Sequence, residues 1–429
     1  MNIGPIEDLV PLRAFPSFRA LLFIALIAPM PCVAGLLGAG DVATKLATID
    51  TLIGVGSMDF NADGRQLALD SLGYDGTDIY DLKRKQIVRH LPVSGSSNDR
   101  GDVVRYSSNG KLLAICGFNK PSQREWIGVY GTTTWQIAHE IVDEPNAGEH
   151  GCTGIAFTPD GKELIRFARM PFDKTGTSIV LYNTSSWQVV NRIRTAAINN
   201  NPYWPARWTI DNYVVTPDTI LVNQSDPAVS FVEASLNSVY AISPNSQFLA
   251  LSGNSWGGSQ VLLRQYADIG ERSAEISKAT HGIIAIIDIP NHKLARVIQA
   301  GASSLDWSAD GVQLAAAGGG SDNVAIYDSR SGDKIVAETG DSDRGLIRYT
   351  PDGKYLIAKV GKNVEIWDAP HVHLLQTIHA EPRNIAVSPD GRYLALCADD
   401  VNILDATPLL SLFAHPNGVG GKVIVYEMK

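Results

Sequence analysis

The sequence contains few cysteines, and their spacing matches no metal or haem motif. Its 429 residues include Cys32, Cys116, Cys152 and Cys397, with no CxxC or CxxCH arrangement. Cys116 and Cys397 end two similar apolar runs, LLAIC and YLALC. We therefore expect these two cysteines to be buried free thiols, because a cysteine inside an apolar strand behaves as a small hydrophobic side chain.

Positive charge is also scarce. The chain has 36 Lys and Arg against 45 Asp and Glu, which gives a formal net charge of -9. A protein that carries nucleic acid needs a basic face. We therefore expect no nucleic-acid partner.

Long apolar runs are missing from most of the chain, and the exception lies near the N-terminus. Arg13 and Arg19 precede the uncharged residues 20–40, whose most apolar part reads LLFIALIA. Small residues follow, and Cys32–Ala34 fits a signal-peptidase site because its first and last residues are small. This order is typical of an export signal.

The N-terminal segment therefore predicts a signal peptide at residues 1–34 and a periplasmic or secreted protein that starts near Gly35. The alternative is an uncleaved membrane anchor formed by residues 20–40, since ~20 residues span a bilayer. Contact with a membrane is expected only in that alternative.

A turn sequence close to apolar-Ser/Thr-Pro-Asp-Gly recurs along the chain, each time before an apolar run. Its seven clear copies begin at Phe60, Tyr106, Phe157, Ile242, Trp307, Tyr349 and Val387. Ser or Thr opens a type I turn, Pro presets the second position, Asp tolerates the third, and Gly takes the left-handed fourth. Each copy therefore predicts a β-hairpin.

Two further strands are predicted after each hairpin. Runs such as VEIWD from Val364 alternate β-branched and aromatic residues, and polar-alternating runs such as WQIAHEI from Trp135 follow them. Four antiparallel strands with short links make one propeller blade of ~40–50 residues. A long gap between the third and fourth clear copies leaves room for a weak blade, whose hairpin is either WTIDN from Trp208 or VTPDT from Val215.

The chain ends predict how the ring closes. KLATID from Lys45 is similar to a fourth strand, and KVIVYEMK from Lys422 is similar to a third strand with nothing after it. We expect the N-terminal strand to complete the last blade and remove an open sheet edge. The competing third strand is VNILD from Val401. Residues 35–429 are thus predicted to form one all-β domain, a seven- or eight-bladed propeller of four-stranded antiparallel blades.

These motifs resemble the WD-repeat and YVTN-repeat propellers of bacteria over nearly the whole chain after residue 34. Only Trp367-Asp368 keeps the WD dipeptide, and the Gly-His pair of a standard WD repeat is absent. The resemblance implies a propeller fold and says almost nothing about activity.

The strongest candidate for a binding site is the segment NNNPYWPARW. Tyr203, Trp204, Arg207 and Trp208 could form an aromatic surface for a partner, since Tyr, Trp and Arg dominate interface hot spots. The alternative is that these residues pack under the weak blade. Trp135 and Trp187 occupy equivalent repeat positions and are instead expected to pack in the core or between blades.

No convincing catalytic constellation is visible. His371 and His373 form a His-x-His pair without a third ligand, and GNSWG at residues 253–257 lacks the strand-to-helix context of a nucleophile elbow. Turn chemistry accounts for the Asp of each hairpin, such as Asp352. We therefore expect no catalytic residue, no metal site and no cofactor.

Two predicted insertions, residues 253–281 and 399–420, are longer than structural loops usually are. Together with the missing catalytic constellation, they favour an exported binding scaffold for a protein or another macromolecule. The alternative, a periplasmic enzyme, is what a resemblance in fold to lactonases or quinoprotein dehydrogenases implies.

Overall fold

The structure is a computed structural model that describes most of residues 41–429. The ranges outside its description are 52–54, 72–75, 93–102, 120–123, 143–149, 159, 170–175, 197–206, 209–212, 216–220, 224–225, 231–237, 254–281, 292, 319–321, 340–344 and 400–420. The predicted signal peptide also lies outside the described residues.

The described strands form eight four-stranded antiparallel sheets, which are the blades of a β-propeller. Blade 1 comprises β2 (Val55–Phe60), β3 (Gln66–Ser71), β4 (Thr77–Asp81) and β5 (Gln86–Leu91). Blade 2 comprises β6 (Val104–Tyr106), β7 (Leu112–Asn119), β8 (Arg124–Gly131) and β9 (Ile137–Val142). Blade 3 comprises β10 (His150–Phe157), β11 (Glu163–Arg169), β12 (Gly176–Asn183) and β13 (Val189–Ala196). Blade 4 comprises β14 (Arg207–Trp208), β15 (Tyr213–Val215), β16 (Leu221–Asn223) and β17 (Asp226–Ser230).

The second half repeats this order. Blade 5 comprises β18 (Ser238–Ile242), β19 (Phe248–Gly253), β20 (Ile284–Asp288) and β21 (Lys293–Ile298). Blade 6 comprises β22 (Ser304–Trp307), β23 (Gln313–Ala317), β24 (Asp322–Asp328) and β25 (Lys334–Thr339). Blade 7 comprises β26 (Ile347–Tyr349), β27 (Tyr355–Val360), β28 (Asn363–Asp368) and β29 (His373–His379). Blade 8 comprises β30 (Pro382–Val387), β31 (Tyr393–Asp399), β32 (Gly421–Met428) and β1 (Ala43–Thr51).

Blade 8 confirms the predicted ring closure. Strand β32 pairs with β31 on one side and with the N-terminal strand β1 on the other. The third strand is therefore KVIVYEMK, while VNILD lies outside the described residues. The closing strand leaves β32 without an open edge.

Blade 4 contains the weak copy of the hairpin. Trp208 in β14 pairs with Val214 in β15, so the link between the first two strands of blade 4 is the one that follows Trp208 of WTIDN. This register selects WTIDN over VTPDT as the degenerate turn.

The predicted hairpin turns are confirmed by their backbone geometry. In blade 7, Gly353 has φ of 74° and its N–H donates to Thr350 O at 2.9 Å. Thr350 Oγ1 donates to Asp352 Oδ1 at 2.6 Å, and the same oxygen accepts from Lys354 N at 3.2 Å. Ser246, which replaces the turn glycine in blade 5, takes the same left-handed conformation at φ of 56°.

Apolar side chains fill the spaces between neighbouring blades. One cluster, for example, joins Ala68 and Ile79 of blade 1 to Leu113 and Ile115 of blade 2. The two equivalent tryptophans pack as expected. Trp187 of blade 3 stacks on the ring of His139 from blade 2, with centroids 4.7 Å apart, and Trp135 packs against the cluster between blades 1 and 2.

The outermost strands carry β-bulges at one repeated position. In blades 1, 2, 3, 5, 6 and 7, the pairing between the third and fourth strands shifts register at the equivalent position of the third strand. A bulge interrupts the ladder and twists an exposed strand, which hinders edge-to-edge pairing with other chains.

Candidate functional site

The two ends of the propeller differ in their connections. In a four-stranded antiparallel blade, the links between strands one and two and between strands three and four share one end, and all other links lie at the opposite end. We call these the short-connection end and the long-connection end. In the seven blades other than blade 4, the first hairpins at the short-connection end have one length, as in residues 61–65 and 350–354. Links at the long-connection end vary in length, from the short link at residues 361–362 to the long link at residues 254–283.

The segments predicted from sequence to carry function all belong to the long-connection end. Residues 254–283 join β19 to β20, residues 400–420 join β31 to β32, and residues 197–206 lead from β13 into β14. Each begins and ends at strand termini on that end. The topology thus assigns to one end three segments that are widely separated in sequence.

The four predicted binding residues fall at the entry to blade 4. Tyr203 and Trp204 lie outside the described residues. Arg207 and Trp208 form β14, the inner strand of blade 4, and their backbones pair with β15. The prediction that these side chains bind a partner stays a prediction.

A disulfide between Cys116 and Cys152 lies close to the long-connection end. It joins the second strand of blade 2 to the first strand of blade 3, with the Cα atoms 5.9 Å apart, inside the usual disulfide range. The prediction that Cys116 is a free thiol is therefore wrong. The prediction failed because the two cysteines come together only when neighbouring blades pack, and no local sequence pattern indicates that contact. Cys397, by contrast, is a buried thiol as predicted.

Cys116 occupies a strand position that contacts the next blade elsewhere in the ring. We call the fifth residue of the second strand the latch position. In blade 5 it is Ser252, whose Oγ accepts from Ala302 N of blade 6 at 2.9 Å. In blade 8 it is Cys397, whose Sγ lies 3.6 Å from Val55 O of blade 1. In blades 5 and 8, as in blade 2, the latch position therefore contacts the following blade.

In blade 1 the latch position holds a buried acid, Asp70. It is 0% exposed and accepts from Thr77 Oγ1 at 2.7 Å, while its Oδ2 has no hydrogen-bond partner. Burial raises the pKa of Asp70 to about 7, and the Thr77 hydrogen bond opposes that rise. Asp70 therefore holds its proton close to neutral pH.

The inner strands carry a second polar arrangement that joins blades 1 and 2. Ser57 Oγ accepts from Val104 N at 3.3 Å, and Asp59 Oδ2 accepts from Tyr106 N at 2.7 Å. Arg105 Nη1 donates to Ser57 Oγ at 3.2 Å. Burial raises the pKa of Asp59 to about 6, and the nearby Arg105 charge lowers it in part. The hydroxyl and carboxylate satisfy N–H groups on the free edge of an inner strand.

The same arrangement occurs again between blades 6 and 7. Ser304 Oγ accepts from Ile347 N at 3.2 Å, and Asp306 Oδ2 accepts from Tyr349 N at 2.8 Å. Sequence reasoning missed both copies. A sequence pattern for both copies was nevertheless present. A first strand with Ser-x-Asp (SMDF, SLDW) is followed one blade later by a first strand with Arg-Tyr (VVRY, LIRY), whereas three other blades have Ala at the position of the Asp.

The described acids are used mainly to hold the fold. Hairpin carboxylates accept hydrogen bonds within their turns and contact the adjacent base, as Asp160 does with Lys162 Nζ at 3.2 Å. The rings of His371 and His373 lie 6.2 Å apart, and His371 Nδ1 is 2.9 Å from Asp368 Oδ1. Over the described part of the chain, no three His, Cys, Asp or Glu side chains form a group able to hold a metal ion. That part also contains no helix with the length and apolar character needed to cross a membrane.

Comparison with known proteins supports the fold. No protein-family model and no curated protein matches the sequence. A solved structure of the Dos1 propeller is 13% identical, covers 91% of this chain and 97% of its own, and superposes with a TM-score of 0.58. Hydrazine synthase from Kuenenia stuttgartiensis is 16% identical and covers 80% of this chain and 92% of its own, with a TM-score of 0.46. The predicted propeller fold is confirmed, and the similarity to WD and YVTN repeats stays a resemblance.

Proposed function

We propose that this protein is an exported β-propeller that binds a macromolecular partner, most simply another protein, through its long-connection end. The observation that carries the proposal is that the described strands flanking residues 197–206, 254–283 and 400–420 all have their flanking ends at that end. A rigid scaffold that presents variable connections from one face is a common solution for recognition.

The opposite end supports this assignment by contrast. The first hairpins of the seven blades other than blade 4 share one length, and in four of them the turn acid contacts the neighbouring lysine or arginine. Uniform turns whose charges are paired locally offer little to distinguish one partner from another. Selectivity is therefore expected from the end whose connections differ between blades.

Export is part of the proposal. The order of basic, apolar and small residues in positions 13–34 is that of a signal peptide, and disulfides such as Cys116–Cys152 persist in oxidising compartments. N-terminal sequencing of the protein from the periplasm or culture medium should start near Gly35. Recovery of an intact residue 1–34 segment in the membrane fraction would contradict cleavage.

The binding role can be tested by a matched pair of double variants. Trp204→Ala with Arg207→Ala removes two predicted anchors at the entry to blade 4. Lys162→Ala with Lys354→Ala removes side chains that are 78% and 60% exposed at the short-connection end. Partners are captured by chemical cross-linking in the exporting cell and quantified by mass spectrometry.

We expect the first pair to reduce partner recovery about tenfold or more, since hot-spot truncations cost ≥2 kcal/mol each. The second pair should bind like the wild type, and both should melt within a few degrees of it. Equal recovery from both pairs would contradict the assignment of binding to Trp204 and Arg207. A large fall in melting temperature for the first pair would show that these residues pack under blade 4.

A further inference from the structure

We infer that the Cys116–Cys152 disulfide is a redox-controlled clasp that orders blades 2 and 3 near the long-connection end only after the protein reaches an oxidising compartment. Its relevance to recognition rests on the proposed function, because the clasp lies close to the end assigned to binding. The clasp itself is a claim about local order and is tested without a partner.

The position of the clasp argues for this role. Cys116 is at the latch position of β7, and Cys152 lies near the start of β10, the inner strand of the next blade. At the same position Ser252 makes a hydrogen bond and Cys397 makes a weak S–H contact with the following blade. Blades 2 and 3 thus have a covalent link where blades 5 and 6, and blades 8 and 1, have a reversible contact.

The irregular start of β10 supports a dependence on the link. In β10 the register shifts between His150 and Gly154, so regular pairing with β11 starts only at Gly154. Cys152 sits inside that irregular part, and its Sγ lies 3.7 Å from Gly154 O. Without the disulfide, the first residues of β10 would keep few ladder hydrogen bonds to β11, and only side-chain packing would hold them against blade 2.

The two sulfurs differ in access. Cys116 is 2% exposed, whereas Cys152 is half-buried. A dithiol reductant should therefore attack Cys152 Sγ: a new sulfur–sulfur bond forms there, the protein disulfide breaks, and the electron pair leaves on Cys116 Sγ, which takes a proton. The second thiol of the reductant then closes its own disulfide and releases Cys152 as a thiol. Oxidation of the two thiols by a disulfide-exchange partner reverses these steps.

The test compares the purified full chain before and after treatment with dithiothreitol. Non-reducing peptide mapping should first recover Cys116 and Cys152 in one cross-linked peptide pair. Hydrogen exchange then measures backbone protection in β7 and β10, with β22 and β26 as internal references. We expect reduction to speed exchange at the start of β10 by about tenfold or more, since local opening governs exchange there, and to leave the references unchanged.

Two variants complete the design. Cys116→Ser should reproduce the exchange of the reduced protein and should no longer respond to dithiothreitol. Cys397→Ser removes the thiol at the equivalent position of blade 8 and should respond to reduction like the wild type.

The inference is overturned if unreduced protein from an oxidising compartment yields Cys116 and Cys152 as separate alkylated thiols. It is also overturned if reduction leaves β10 unchanged or removes protection equally from all blades. Failure of the proposed function has a different signature: β10 responds to reduction, yet neither the oxidised nor the reduced protein captures a partner.

Discussion

Single residues in the hairpin turns both shape a blade and set its distance from the next one. Gly391 has φ of 73°, and a Cβ at this position would lie 2.7 Å from Cγ of Asp352 in the neighbouring turn. Asp352 cannot move aside cheaply, because it accepts hydrogen bonds from Thr350 and from Lys354 N. The left-handed glycine therefore allows a tight turn and a close approach between blades 7 and 8.

The substitutions Gly391→Ala and Gly361→Ala separate these two requirements. Both glycines have positive φ, but a Cβ at Gly361 would meet nothing within 4 Å. Each change should cost about 1 kcal/mol in backbone strain, and Gly391→Ala should cost roughly 1–2 kcal/mol more because it displaces a hydrogen-bonded carboxylate.

Chemical denaturation of the two variants measures the difference directly. Gly361→Ala is the control for backbone strain alone. Equal unfolding free energies for the two variants would mean that the contact with Asp352 has no energetic weight.

At the scale of elements, the closing strand β1 pairs with a strand from the opposite end of the sequence. It pairs with β32 from Ala43 opposite Met428 to Thr51 opposite Gly421. Ala43 also exchanges two hydrogen bonds with the Gln376 side chain of blade 7. The N-terminal strand therefore ties the last blade to its neighbour as well as completing it.

Deletion of residues 44–50 should destabilise the protein by several kcal/mol. The loss combines ladder hydrogen bonds of ~1 kcal/mol each with the burial of Ile49 in the cluster between blades 8 and 1. Lys45→Ala, at an exposed side chain of the same strand, is the control and should melt like the wild type. A deletion variant with the wild-type melting temperature would refute the pairing of β1 with β32.

At the scale of the whole molecule, the buried acids make stability depend on pH. Burial raises the pKa of Asp59 to about 6 and those of Asp70 and Glu365 to about 7, and the neighbouring Glu338 raises that of Glu365 further. Between pH 4 and pH 7 these three acids therefore bind more protons in the folded protein than in the unfolded chain. Their contribution to stability falls as the pH rises through this window.

Exposed turn acids with lowered pKa values make stability fall as the pH decreases. The backbone hydrogen bond from Lys162 lowers the pKa of Asp160 to about 2, and the Ser308 hydroxyl lowers that of Asp310. Below pH 4 their protonation favours unfolding. The protein should therefore be most stable in mildly acidic solution.

Thermal melts from pH 3 to pH 8 test this expectation. We expect the melting temperature to be highest between pH 4 and pH 5 and to decline towards pH 8. Asp70→Asn should reduce the decline above pH 5, while Asp63→Asn, at an exposed turn acid, should leave it in place. A wild-type melting temperature that rises steadily up to pH 8 would show that the buried acids are ionised without cost.

The repeated hairpins and the closing strand were predictable because their signals are local or repeated. Asp352 and Gly353 favour a turn that involves only five residues. The similarity of KLATID to other fourth strands is likewise visible in the sequence alone. The same reasoning could not choose between WTIDN and VTPDT, because both fit a degenerate turn and only the pairing of Trp208 with Val214 separates them.

The sequence by itself therefore determined the propeller fold, its four-stranded blades and the left-handed turn residues, and it predicted the closing strand while leaving VNILD as a competing third strand. The tertiary structure alone decided the contacts between blades, which include the Cys116–Cys152 disulfide and the hydrogen bond from Tyr106 N to Asp59. It also placed at one end of the propeller the strand ends that flank residues 197–206, 254–283 and 400–420. The physical reason is range: turn and strand preferences act over a few neighbouring residues, whereas contacts between blades depend on how whole sheets pack around the ring.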